Sequence, residues 1–272
     1  MRKIYEEKTG MIDLQQGVII DGCIAEDYPN AETYGVIITP RCDIDLKKIS
    51  TIHYLPMVSL EDWLNNDYVK RYQKDTNKKL LIKMQKLLVE KKISTTILEG
   101  KLSKEDILKA ADTLQKEKKQ FEIDLEEFFN VKDFVYCKNN IQNWTDGKTF
   151  LKEICTWKNA SYYILENWND GSKYMVILLR DIRRLEFNLA LKLKTGIVEQ
   201  NLSDEDLRRN DIYKGEESCI LRRYRTLAQI KSPFIEHIVQ MFFHNFGRIG
   251  IDNYENNLNE QIFSNINKII KK

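Results

Sequence analysis

The segment Thr39-Pro40-Arg41-Cys42-Asp43-Ile44-Asp45 brings a guanidinium, a thiol and two carboxylates together directly after an apolar run. Cys42 would serve as a nucleophile if Arg41 lowered its pKa and a base stood nearby, and His53 is the nearest histidine in sequence. Arg41, Asp43 and His53 together would supply a phosphate clamp and an acid–base pair, which a ribonuclease working without metal requires. Asp43 and Asp45 offer oxygen ligands to a divalent cation, but two carboxylates without a third partner fall short of a site. The structural alternative is an Asx-type turn in which Asp43 caps backbone N–H groups and Cys42 is a small buried hydrophobe. In that case Cys42 and Asp45 serve the fold or a partner, not a reaction.

A second set lies near the C-terminus. His237, Gln240, His244 and Arg248 share one polar stripe, with Glu236 beside it, opposite the phenylalanines of the same segment. Two histidines seven residues apart stand about 10 Å apart along a helix, given its 1.5 Å rise, too far to ligate one metal. The stripe therefore reads as a polar face that packs on the rest of the fold or on a partner. The third set is arginine: eight of the twelve fall between residues 180 and 225. Arg180, Arg183, Arg184, Arg222, Arg223 and Arg225 are the candidates for a nucleic-acid contact, because the guanidinium fork matches phosphate and nearby tyrosines can stack on bases. The alternative is ion pairing with Asp181, Glu186, Asp204, Glu205 and Asp206. The five cysteines contain no CxxC pair, and no Walker loop, GxGxxG, GxSxG or HExxH occurs. No metal or cofactor is expected.

These groups need elements to position them. Residues 17–20, 34–39 and 52–58 read as β-strands, the second stopped by Pro40. Ser59 followed by Asp62 marks a helix start at Leu60, and Ser103 followed by Asp106 marks another. From 67 to 131 the chain turns to Lys, Glu, Leu and Ile without a proline, which predicts a helical insertion. Asn169-Asp170-Gly171 between two β-rich runs predicts a hairpin over 161–179. A short helix after Ser203, a strand within 219–227, a helix after Ser232-Pro233 stopped by Gly247 and Gly250, and a helix over 261–272 complete the reading.

Composition bounds the rest. Two hundred and seventy-two residues, 42% hydrophobic and 31% charged, suffice for a sizeable core and exclude a disordered chain. With 43 basic against 41 acidic residues, no global field draws the chain to nucleic acid or an anionic membrane. The apolar runs are strand-sized, the first residues lack an apolar signal region, and the cysteines are scattered. A cytoplasmic protein without a membrane association is the expectation.

Gly17-Val18-Ile19-Ile20, Tyr34-Gly35-Val36-Ile37-Ile38-Thr39-Pro40 and Ile52-His53-Tyr54-Leu55-Pro56-Met57 together resemble the opening of the SH3-like barrel of the MazF/PemK toxin class. That resemblance implies a ribonuclease site near the turn after the second strand. The chain departs from that pattern in the turn itself, Arg41-Cys42-Asp43, and in the helical insertion. The same turn, with Ser232-Pro233-Phe234-Ile235-Glu236-His237 and Phe246-Gly247-Arg248-Ile249-Gly250, is also similar to bacterial proteins of mobile-element and phage-defence loci. The expected fold is α+β: a small, strongly bent antiparallel sheet or SH3-like barrel from 1–66 and 132–272, closed by C-terminal helices and interrupted by the insertion at 67–131. The expected function is that of a non-catalytic component of a bacterial conflict or phage-defence system, binding a partner protein encoded nearby, or RNA or DNA. The alternative is the metal-independent ribonuclease of a toxin–antitoxin pair.

Overall fold

The computed structural model describes residues 4–7, 12–99, 102–168, 173–212 and 223–246. Its strands are β1 (Tyr5–Glu7), β2 (Val18–Ile20), β3 (Tyr34–Ile37), β4 (Thr51–Ser59), β5 (Tyr162–Trp168), β6 (Lys173–Leu178), β7 (Arg183–Glu186), β8 (Ile197–Val198), β9 (Arg223–Tyr224) and β10 (Thr226–Ile230). Its helices are α1 (Arg41–Asp45), α2 (Leu60–Trp63), α3 (Val69–Glu90), α4 (Thr96–Glu99), α5 (Lys104–Ala110), α6 (Lys118–Asn130), α7 (Phe134–Asn140), α8 (Gly147–Cys155), α9 (Phe187–Lys192), α10 (Asp204–Arg209) and α11 (Phe234–Phe246).

The main sheet is antiparallel and curls into a half-barrel in the order β1-β10-β2-β3-β4-β6-β5, with β7 also on β4. Both faces are covered, which is why β2, β3 and β6 read as unbroken apolar runs where a one-sided sheet would alternate. On one face Ile19, Val36, Leu55, Met57 and Ile177 pack beneath Ile235, Ile238, Met241 and Phe242 of α11. The other face is shared. Val58, Val176 and Leu178 share one cluster with Trp63 of α2 and Phe150 of α8, the helices that touch the sheet, and with Leu80 and Phe121 of the insertion helices packed beyond them. Farther along, Ile20, Ile37, Ile52 and Tyr54 meet Ile44 of α1 and Leu189 and Leu193 of the α9 region.

One strand organises the break between these two halves. The first half of β4 pairs with β7 and its last three residues pair with β6, so Leu55 and Pro56 have no partner on that edge. Ile38 N–H donates to His53 C=O, and counting along the ladder from that bonded pair aims the Pro56 nitrogen away from β3. A proline without an N–H is tolerated there because no ladder bond is required. Residues 179–182, which step from β6 to β7, therefore leave the sheet beside this gap. Gly35 sits opposite Pro56, and a Cβ on it would lie 2.5 Å from Cys23 Sγ and 2.7 Å from the Tyr54 ring.

Local signals explain the helix starts. Ser59, Ser103 and Ser203 each accept from the N–H three residues on, and Ser203 and Asp206 form a reciprocal capping box. The helices of the insertion begin at Leu60 and continue past residue 131 to Cys155. Their core is not their own, since Trp63, Phe150, Val176 and Leu178 belong to one cluster. Within it the buried Asp124 of α6 is satisfied by Lys83 at 2.7 Å and Gln120 at 2.9 Å. β5 and β6 pair as the expected hairpin, whose Asn169-Asp170-Gly171 turn lies outside the described residues, as do Cys219, Gly247, Gly250 and the 261–272 helix. The last strand follows only from Arg223 onward. Helix α11 starts at Phe234, so Pro233 stands one position earlier than the expected first helical residue, its C=O accepting from His237 N–H.

Candidate functional site

The Arg41–Asp45 segment is one turn of helix, not an Asx turn. Pro40 precedes it and its C=O accepts from Asp43 N–H at 3.1 Å and Ile44 N–H at 3.3 Å. The 100° step between residues sends Ile44 into the core and leaves Arg41, Cys42 and Asp45 outside. Cys42 is therefore exposed and is not a small buried hydrophobe. Among the described residues, the Asp43 carboxylate accepts from no backbone N–H; its contact is Cys42 Sγ at 3.8 Å. Arg41 pairs with Asp45 at 3.3 Å, an exposed i,i+4 contact. His53 is exposed on β4, its N–H donating to Thr39 Oγ1 at 2.7 Å, with Ile38 on one side of it and Arg184 of β7 on the other. The sheet thus places the α1 turn, His53 and Arg184 at one end of the β3–β4–β7 ladder. No hydrogen bond or ion pair joins Arg41, Asp43 and His53 among the described residues.

The arginines do not converge. Arg183 is held by Asp181 at 2.6 Å and Glu26 at 2.9 Å, and Arg209 by Glu186 at 3.5 Å and Glu205 at 2.5 Å. Arg180 lines a cleft between the sheet and the insertion. Arg184 is exposed on β7 and Arg225 is exposed between β9 and β10. Arg222 lies outside the described residues, and the Arg223 side chain is likewise undescribed. On α11, His237 packs edge-on against Trp157 with centroids 4.6 Å apart and against Tyr163 at 5.7 Å. Glu236, Gln240 and His244 are exposed, and Arg248 lies outside the described residues. Asn245, which the sequence does not single out, donates to Ala160 C=O at 2.5 Å and ties the end of α11 to the foot of β5.

Two apolar clefts adjoin on the opposite side of the hairpin. One, of 510 Å³, is lined by Tyr34, Leu60, Leu64, Trp168, Tyr174 and Met175 together with Glu32, Ser59, Glu61 and Asp62. The other, of 350 Å³, shares Leu60, Leu64 and Tyr174 and adds Leu151, Trp157, Phe234 and Glu166 among its walls. Shared walls make them one groove. Tyr174 and Trp157 keep 45% and 46% of their surface in solvent, which is high for aromatic rings of this size. The acids come from the loop before β3, the first turn of α2 and β5, and among the described residues no lysine or arginine lines either cleft. Trp168 Nε1 is enclosed near the Tyr34 hydroxyl and closes no hydrogen bond of good geometry. Sequence reasoning missed this groove because its residues come from α2, the hairpin and the α8 loop, far apart in the chain. A signal was present in the aromatic pair Trp168 and Tyr174 flanking the hairpin turn.

Among the described residues, no three His, Cys, Asp or Glu side chains come together to hold a metal ion, and no helix is long and apolar enough to cross a membrane. No family model matches the chain, and neither curated proteins nor solved structures match it.

Proposed function

We propose that the chain is a non-catalytic binding protein whose apolar groove receives a segment of a partner protein carrying apolar anchors between basic residues. The observation that carries this reading is the groove itself, with open aromatic walls and a rim bearing Glu32, Glu61, Asp62 and Glu166 and, among the described residues, no lysine or arginine. A rim of that sign repels phosphate and favours a basic segment, so it supports a protein partner over RNA or DNA. Aromatic anchors in such grooves supply most of the binding energy, and the charged rim supplies selection. The setting of a cytoplasmic bacterial conflict or phage-defence system, and a partner encoded nearby, rest on the sequence resemblance.

The ribonuclease reading has one observation in its favour, the gathering of the α1 turn, His53 and Arg184 at one end of a ladder. A single experiment separates the two. A photo-crosslinking amino acid placed at Tyr174 or Trp157 is expected to capture the product of a neighbouring gene in cells. Tyr174→Glu is expected to lower affinity for that product at least about tenfold, the size of a lost aromatic anchor, with the melting temperature unchanged. Capture of RNA, or cleavage of RNA by the purified protein that is lost in His53→Ala, would replace this reading with the ribonuclease.

A further inference from the structure

The cleft that Arg180 lines is polar and lies apart from the groove. It holds 310 Å³, bounded by Tyr28, Asp67, Ser161, Tyr162, Arg180 and Asp181, with Glu26 and Asp27 at its edge. Its charges sort into used and unused ones. Asp181 and Glu26 share Arg183, and Asp27 pairs with Lys70 at 3.6 Å. Asp67 and Arg180 have no ion-pair partner among the described residues. Both charges act on the Tyr162 hydroxyl, Asp67 pushing its pKa up and Arg180 pulling it down, with burial the largest effect and upward. Asp67 and Arg180 thus line one cleft within electrostatic reach of the same hydroxyl. Tyr28 is buried against the same carboxylate, and its hydroxyl closes no hydrogen bond of good geometry.

The backbone explains how these groups arrive. Asp67 belongs to a π-helical turn, Leu64–Tyr68, that links α2 to α3. Such turns insert a residue into a helix and re-aim its side chains, often at functional sites. Here the turn sends Leu64 to the apolar groove and Asp67 to the polar cleft, while Asn66 Nδ2 donates to Asp27 C=O at 2.5 Å and holds the turn in place. Arg180 and Asp181 come from the β6–β7 step beside Pro56. A cleft whose wall carries one acid and one base outside any ion pair, together with two phenols, suits a ligand that carries both charges itself, because the half-buried Asp67 and the exposed Arg180 then each meet an opposite charge.

We propose that this cleft binds a free α-amino acid, its ammonium against Asp67 and the phenol oxygens, and its carboxylate against the fork of Arg180. An ammonium has three donors to place, and a carboxylate accepts two parallel N–H bonds from arginine. The test is thermal-shift screening of the intact protein with the proteinogenic amino acids, then calorimetry with any that bind, alongside their N-acetyl and α-amide forms. At least one free amino acid is expected to raise the melting temperature. Its N-acetyl and α-amide forms, and the variants Asp67→Asn and Arg180→Gln with the free amino acid, are each expected to bind at least about tenfold more weakly, the scale of one lost charge-assisted hydrogen bond. Tyr174→Glu, in the groove, is expected to leave this binding intact, which keeps it independent of the partner reading. If Asp67→Asn fails to fold, the blocked ligands on the unaltered protein carry the test. The proposal is overturned if no amino acid shifts the melting temperature, or if binding survives both blocking groups.

Discussion

At the scale of single residues, the side chains that matter most to the fold are the ones that look least like chemistry. Tyr54 is fully buried, its hydroxyl donating to Asp211 C=O and accepting from Ile24 N–H at 3.2 Å. It ties β4 to the loop after β2 and to the stretch after α10, which the Cys23–Ile212 bridge joins to each other. Removing only the oxygen leaves the ring packed on Gly35 and strands one donor and one acceptor in the interior. Tyr54→Phe is therefore expected to cost about 1–3 kcal/mol, the desolvation of an unmatched polar group, seen as a lower denaturant midpoint at constant slope. A loss within the noise of the measurement would mean that water reaches Ile24 and Asp211. Arg41 and Asp45 stand at the other extreme. They are charged and conspicuous in sequence, yet their contact is an exposed pair of the kind worth a few tenths of a kcal/mol.

At the scale of elements, the insertion is the decisive case. A helical stretch at 67–131 with its own apolar faces reads as removable, because a long surface insertion closes at small entropic cost. In the structure those faces pack on one another and are joined to the sheet through α2 and α8: Leu80, Met84, Phe121 and Leu125 share one cluster with Trp63 and Phe150, and through them with Val58, Val176 and Leu178. Replacing 67–131 by a short Gly/Ser linker is thus expected to yield an insoluble or partly unfolded chain, checked by gel filtration and by loss of the far-ultraviolet spectrum of the sheet. A soluble, monomeric product with the strand signal intact would show the helices to be dispensable to the half-barrel. The contrast marks what a sequence can tell. Caps at Ser59, Ser103 and Ser203 and the strands of β2, β3 and β4 are legible because their cause lies within a few residues. The pairing of β1 and β2 with β10 joins residues about 200 positions apart, and nothing local in Tyr5 or Val18 points to Ile230 or Gln229. Cys42 and Ile44 show the same limit at the candidate site, since which of them faces inward depends on α1 being helical. The groove and the polar cleft were illegible for that reason too, the groove being assembled from α2, the hairpin and the α8 loop, and the cleft from the loop after β2, the π-helical turn, the hairpin and the strand-to-strand step.

At the scale of the whole molecule, the two faces of one sheet make three clusters, and each contains a buried tyrosine whose ionisation the fold opposes. Tyr28 lies with the insertion helices, Tyr34 beneath α11 and Tyr54 with α1 and α9. In each the phenol pKa is raised above its ordinary value, first by burial, and the nearest charges, Asp67 and Glu32 for the first two, push the same way. The sign of the consequence follows from proton counting. Below about pH 10 both folded and unfolded chains keep these protons, so the tyrosines cost nothing. Above it the unfolded chain releases them while the folded chain holds them, so the unfolded state binds fewer protons and stability falls as pH rises. Because β2, β3 and β4 carry residues of more than one cluster, the loss in one is transmitted to the others. The expected outcome is a single cooperative alkaline transition in sheet ellipticity, accompanied by a step in tyrosinate absorbance from the buried phenols. Two or more separated steps in ellipticity would show that the clusters come apart independently.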